Sequence, residues 1–119
     1  MKYMMLIYQG TTPTPLDPEA WAELSAEEQQ GIYQAYQEIN ATPGVSPGAG
    51  LQAPETATTV RVLDGRTLST DGPFADTKEA LNGYLTFEAE DLDAAIALAA
   101  RIPAAALGGA VEVRPIAEW

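Results

Sequence analysis

The chain of 119 residues contains no cysteine and no histidine. Without cysteine there is no disulfide framework, no thiolate nucleophile and no cysteine-ligated zinc. Without histidine, the side chain that titrates near neutral pH and the commonest metal ligand are both missing. Acid–base chemistry must then fall to a carboxylate, a tyrosine or a lysine. Basic residues are scarce as well: 6 Lys and Arg stand against 17 Asp and Glu, for a net charge of −11. Such a field repels nucleic-acid phosphates and anionic lipid surfaces, so neither is expected as a partner. The acids are spread along the chain, which fits solubility better than steering of a ligand. No apolar run is long enough to span a membrane. The run Tyr3 to Tyr8 is too short for a signal peptide and lacks a small-residue cleavage site, so the expected compartment is the cytoplasm.

What is present reads as one domain, long enough to bury a core without staples. Lys2 to Tyr8 (KYMMLIY) is a continuous apolar run, expected as a strand buried on both faces. Asp17-Pro18 places a cap and a first-turn proline ahead of a short turn at 18–23. Ser25 and Glu28 have capping-box spacing and open a helix over 26–40, with Ile32, Tyr33, Tyr36 and Ile39 on its apolar stripe. Tyr33, Tyr36 and Trp21 are therefore expected in the core.

Residues 40–54 are rich in glycine and proline and read as loop, with a brief strand at 50–52. Thr58 to Leu63, Asp64-Gly65 and Arg66 to Thr70 form a hairpin pattern. A turn at 71–74 and a short helical piece at 76–79 follow. Tyr84 to Ala89 alternates as a strand, and Asp91 caps a helix over 92–102 with Leu92, Ala95, Ile96 and Ala99 as its stripe. Pro103 stops it. Ala110 to Ile116 is the last strand.

Two helices and an antiparallel sheet predict an α+β, ferredoxin-like (split βαβ) sandwich with an extra hairpin. Two helices cover only one sheet face. The first strand nevertheless presents Tyr3, Met5 and Ile7 on one side and Met4, Leu6 and Tyr8 on the other. Each large side chain left in water forgoes about 1.5–3 kcal/mol. The expected remedy is a homodimer, sheet to sheet, enclosing a barrel-like space partly lined by polar groups. Such a cavity is the usual form of a small-molecule site.

The stretch Asp71-Gly72-Pro73-Phe74-Ala75-Asp76-Thr77-Lys78-Glu79 closely resembles the signature of the DGPF group within the YCII-related family. The opening MKYMMLIY, the segment 56–61 and the end 109–116 agree with it. The resemblance implies a ferredoxin-like dimer related to dimeric α+β barrel proteins. Some family members carry a proposed His–Asp catalytic pair, which a chain without histidine cannot reproduce. Many DGPF proteins are associated with extracytoplasmic-function sigma factors, which implies a regulatory context as the alternative to small-molecule binding or cofactor-free catalysis.

Asp71 is the candidate acid/base, beside a Gly-Pro turn that would hold its carboxylate. The other reading of Asp71 is turn chemistry, an aspartate bonding its own backbone. Tyr8, Lys78, Tyr84 and Arg114 are the candidate ligand-binding residues. Lys78 would bind an anionic group or depress the Asp71 carboxyl; its alternative is a solvated surface pair with Glu79. An inward Arg114 would take a carboxylate bidentately or pair with Glu112 or Glu88. Tyr8 and Tyr84 offer hydroxyls near strand ends, with packing as the alternative. No metal and no cofactor is expected. The partners expected are a second copy, with room for a higher oligomer, and an unidentified small molecule.

Overall fold

The computed structural model describes residues 1–74 and 80–119. The chain order is β1 (Lys2–Tyr8), α1 (Pro18–Glu23), α2 (Ala26–Asn40), β2 (Val45–Gly50), a single 3-10 turn at Pro54–Thr56, β3 (Thr58–Leu63), β4 (Arg66–Asp71), β5 (Leu81–Glu88), α3 (Leu92–Ala99), α4 (Pro103–Ala106) and β6 (Ala110–Pro115). A four-stranded sheet runs β2-β5-β1-β6, and β3 and β4 form a separate two-stranded sheet. All pairings are antiparallel. This is the ferredoxin-like α+β arrangement, with the hairpin inserted between β2 and β5.

Local chemistry accounts for most boundaries. The Asp17 carboxylate accepts from the Ala20 N–H, starting α1. Ser25 and Glu28 exchange the two bonds of a capping box at the start of α2. The Glu28 carboxyl is held below its usual range by the Ser25 backbone N–H, and then by the Ser25 hydroxyl. Asp91 caps α3 through the Ala94 N–H. Asp64, the one non-glycine residue at positive φ among the described residues, turns with Gly65 between β3 and β4.

The sequence reading missed β2. It pairs with β5 through the segment VSPGAG, which has almost no β-formers. An edge strand tolerates this because one of its sides needs no ladder bonds. Gly48 is the unpaired residue of a bulge between Pro47 and Ala49. A Cβ there would run into the Tyr84 carbonyl oxygen and ring. The expected strand at 50–52 thus lies earlier, at 45–50.

β5 begins three residues before the alternation expected from Tyr84. α3 ends at Ala99, and Pro103 opens a further short helix rather than ending a long one. The α3 stripe is also rotated. Ala95, Leu98 and Ala99 are buried, whereas Leu92 and Ile96 are exposed. The helical piece expected at 76–79 lies outside the described residues.

The core lies between the helices and one face of the sheet. Tyr3, Met5 and Ile7 of β1 meet Leu85 of β5, Ile39 of α2, Ala95, Leu98 and Ala99 of α3, and Ile102. The alternate β1 residues Met4, Leu6 and Tyr8 are half-buried on the other face, which no helix among the described residues covers.

Candidate functional site

A cavity of about 540 Å³ lies on the helix side of the sheet, at the β2 edge. Its floor includes Ile7 and Leu85, and one wall is Pro47 to Gln52 of β2 and the chain just beyond it. Trp21 of α1 and Tyr33 and Tyr36 of α2 form the aromatic wall. The loop that follows β1 contributes Gln9 and residues 12–16, and Asn40, Asn82 and Pro103 also border the space.

Each wall is held by identifiable contacts. The Gln29 amide of α2 donates to the Trp21 carbonyl at 2.8 Å, tying the two helices together. The Trp21 and Tyr33 rings meet edge to face, with centroids 5.5 Å apart. The loop after β1 is pinned to the turn before β6, where the Thr11 N–H donates to the Gly108 carbonyl at 3.1 Å. Gly10 makes this possible with φ +55, since a Cβ there would collide with the Gly108 carbonyl. The Thr12 N–H then closes onto the Gln9 carbonyl at 2.9 Å. The Leu51 N–H donates to the Asn82 carbonyl at 2.7 Å and holds the chain end of β2.

Two features of the lining decide its chemistry. First, no residue bounding this cavity among the described residues carries a charge, in a chain with 23 ionised side chains. Its polar side chains are neutral: Gln9, Thr12, Thr14, Asn40, Gln52 and Asn82, besides the tyrosine hydroxyls. Second, the Thr12 and Thr14 hydroxyls are buried without a hydrogen-bond partner among the described residues. Thr12 is 6% exposed. A buried hydroxyl without a partner costs free energy, and folded proteins rarely leave one in that state. Burial pushes the Tyr36 phenol above its ordinary value, so it stays protonated and available as a donor at neutral pH.

The residues singled out from sequence fall elsewhere. Asp71 is the last residue of β4, exposed, paired in register with Thr58, and not part of the cavity. Tyr8, Tyr84 and Arg114 share the uncovered face of the four-stranded sheet. Leu6 lies between Tyr84 and Glu112, and Met4 lies between Thr86 and Arg114. Arg114 is bound to Glu112 at 2.9 Å, with both side chains well exposed. Tyr84 also borders the cavity at the Gly48 bulge. Lys78 lies outside the described residues. Arg61 stacks over the Phe74 ring, 4.9 Å from its centroid.

The aromatic wall corrects the expectation that Trp21 and Tyr33 belong to the core: Tyr33 is 49% exposed, and both line the cavity. Tyr36 meets the expectation in part, packing half-buried against the core while also lining the cavity. Sequence reading passed over Gln9, Thr12 and Asn82 altogether. The one available signal was a Thr/Pro cluster directly after a buried strand.

The fold and this helix-side cavity define a ferredoxin-like α+β domain with an inserted hairpin and a neutral pocket. The family model of the YCII-related domain matches residues 1–119. The chain belongs to that family. An uncharacterised protein of Rhizobium meliloti (strain 1021) is 34% identical over 119 residues, covering 98% of this chain and 93% of its own length.

Proposed function

We propose that this YCII-related protein binds a small, uncharged molecule in the cavity between the loop after β1, α1, α2 and the β2 edge. The orphaned Thr12 hydroxyl in an uncharged lining carries the reading. A carboxylate or phosphate brought into the cavity would meet no cation among the described residues and would lose its hydration without compensation from them. A flat ligand with hydrogen-bonding groups gains the aromatic wall, the Thr12 and Thr14 hydroxyls and the neutral amides. Its volume suits a ligand of drug-like size.

Among the described lining residues there is no carboxylate, amine, thiol or imidazole, so the arrangement supports binding rather than acid–base catalysis. The uncovered sheet face, with Met4, Leu6 and Tyr8 half-buried on it, supports pairing of two copies there.

The test is a thermal-shift screen of metabolites grouped by charge, on the native chain and on Thr12→Val. A ligand at one hundred times its Kd stabilises by about 2.7 kcal/mol, so weak binders register at millimolar concentration. Hits concentrated among uncharged compounds and diminished by Thr12→Val are expected. Hits confined to acids or to amines, or indifferent to Thr12→Val, would overturn the assignment.

A further inference from the structure

A second hollow, of about 410 Å³, lies beside the first along α2. The two share a wall made by Pro13, Ile32 and Pro103. The second is bounded by α2 on one side and by the chain from Ala100 through α4 on the other. Its character is different. Among the described residues it has no side-chain hydroxyl, no side-chain amide and no aromatic ring. Two charged residues border it, Glu28 and Arg101. The Glu28 carboxylate is engaged in its capping box, accepting from the Ser25 N–H at 3.0 Å, and Arg101 is exposed. The rest of the lining is aliphatic or has almost no side chain.

Gly31 is an independent sign that this space is kept open. It lies in the interior of α2, and a Cβ there would meet no described atom within 4 Å. Glycine inside a helix costs stability relative to alanine, and a glycine retained there has a packing or functional reason. Neither a left-handed backbone nor a close approach within the chain calls for it. What its missing side chain leaves is room in the hollow.

We propose that the second hollow takes an aliphatic chain carried by the ligand of the first, so that the ligand is a flat, uncharged, hydrogen-bonding ring bearing an alkyl or acyl tail. The inference rests on the ligand site proposed above and extends it past Ile32. The shared wall and the division of chemistry identify the occupant. Neutral polar groups and aromatic rings are gathered in the first hollow, where the Thr12 hydroxyl lacks a partner among the described residues. A polar group placed in the second would lose water without finding a neutral partner, whereas each methylene buried there leaves water at a gain.

Isothermal titration calorimetry with alkyl esters of para-hydroxybenzoic acid, methyl to heptyl, tests this at a mildly acidic pH that keeps the phenol neutral. The native chain should bind the methyl ester and gain roughly threefold in affinity per added methylene until the hollow is filled. Gly31→Leu and Ala106→Leu each place a branched side chain in the hollow, one from α2 and one from α4, and thermal melting checks that both fold. Both variants should keep the native affinity for the methyl ester and lose the gain with length. A native affinity that does not rise with length, or a rise that survives both substitutions, would overturn the tail and leave the ring site standing. Loss of the methyl ester together with the longer esters in both variants would make the two hollows one site and overturn the division. Failure of every ester to bind the native chain would overturn ring site and tail alike.

Discussion

Replacing Thr12 by valine exchanges a buried hydroxyl for a methyl group of nearly the same volume. Threonine to valine normally costs stability, because the hydroxyl it removes is bonded. Thr42 gives the ordinary case: its hydroxyl donates to the Glu38 carbonyl at 2.8 Å. Thr42→Val should therefore cost about 0.5–1.5 kcal/mol. Thr12 inverts the sign. Its hydroxyl has no partner among the described residues, and its residue is 6% exposed. Leaving such a group unpaired costs about 1–3 kcal/mol, which valine recovers. For a domain of this length each kcal/mol shifts Tm by about 4 °C, so Thr12→Val should melt about 4–12 °C higher than the native chain. The assay is urea and thermal unfolding of both variants, refolded from denaturant so that no ligand is carried over. In the presence of a bound ligand the advantage of Thr12→Val should shrink or reverse. A ligand-free Thr12→Val that is less stable than the native chain would refute the reasoning, since it would mean that the hydroxyl is bonded in the empty protein.

Two further outcomes follow from the same geometry. Gly48→Ala should destabilise by about 1–3 kcal/mol in urea unfolding, because the added methyl must displace the Tyr84 ring or the β2 bulge. Tyr36, with its phenol pushed above the ordinary value by burial, contributes stability that is complete below about pH 10 and is lost as pH rises from there through its folded value. Alkaline unfolding should accordingly be shallower in Tyr36→Phe than in the native chain, and an unchanged profile would remove burial as the cause.

The parts of the fold visible in the sequence are those set by neighbours in the chain. The Ser25/Glu28 capping box, the Asp17 and Asp91 caps and the Asp64-Gly65 turn all fall where their local chemistry put them. The two apolar faces of β1 were equally plain, since alternation along one strand is enough to show them.

What was hidden depended on distant partners. β2 exists because β5 offers it a ladder, and nothing in VSPGAG announces that. The rotation of the α3 stripe is set by β6 and the chain around Ile102, so Leu98 is buried and Ile96 is not. The cavity was the least legible of all. It depends on the loop after β1 locking onto Gly108, nearly a hundred residues away in sequence. Trp21, Tyr33 and Tyr36 have helical core spacing, and periodicity alone cannot separate a core side chain from one that walls a pocket.

The central claim is an uncharged ligand in the helix-side cavity, and a matched pair of fluorophores tests it most directly. N-phenyl-1-naphthylamine is neutral, and 1-anilinonaphthalene-8-sulfonate is the same skeleton bearing a sulfonate. Both should be titrated into the native chain and into Asn40→Trp, which places an indole at the rim of the cavity. The account predicts saturable binding of the neutral compound, at least about tenfold weaker binding of the sulfonate, and loss of the neutral signal in Asn40→Trp. Equal affinity for both compounds, or neutral binding that survives Asn40→Trp unchanged, would contradict it.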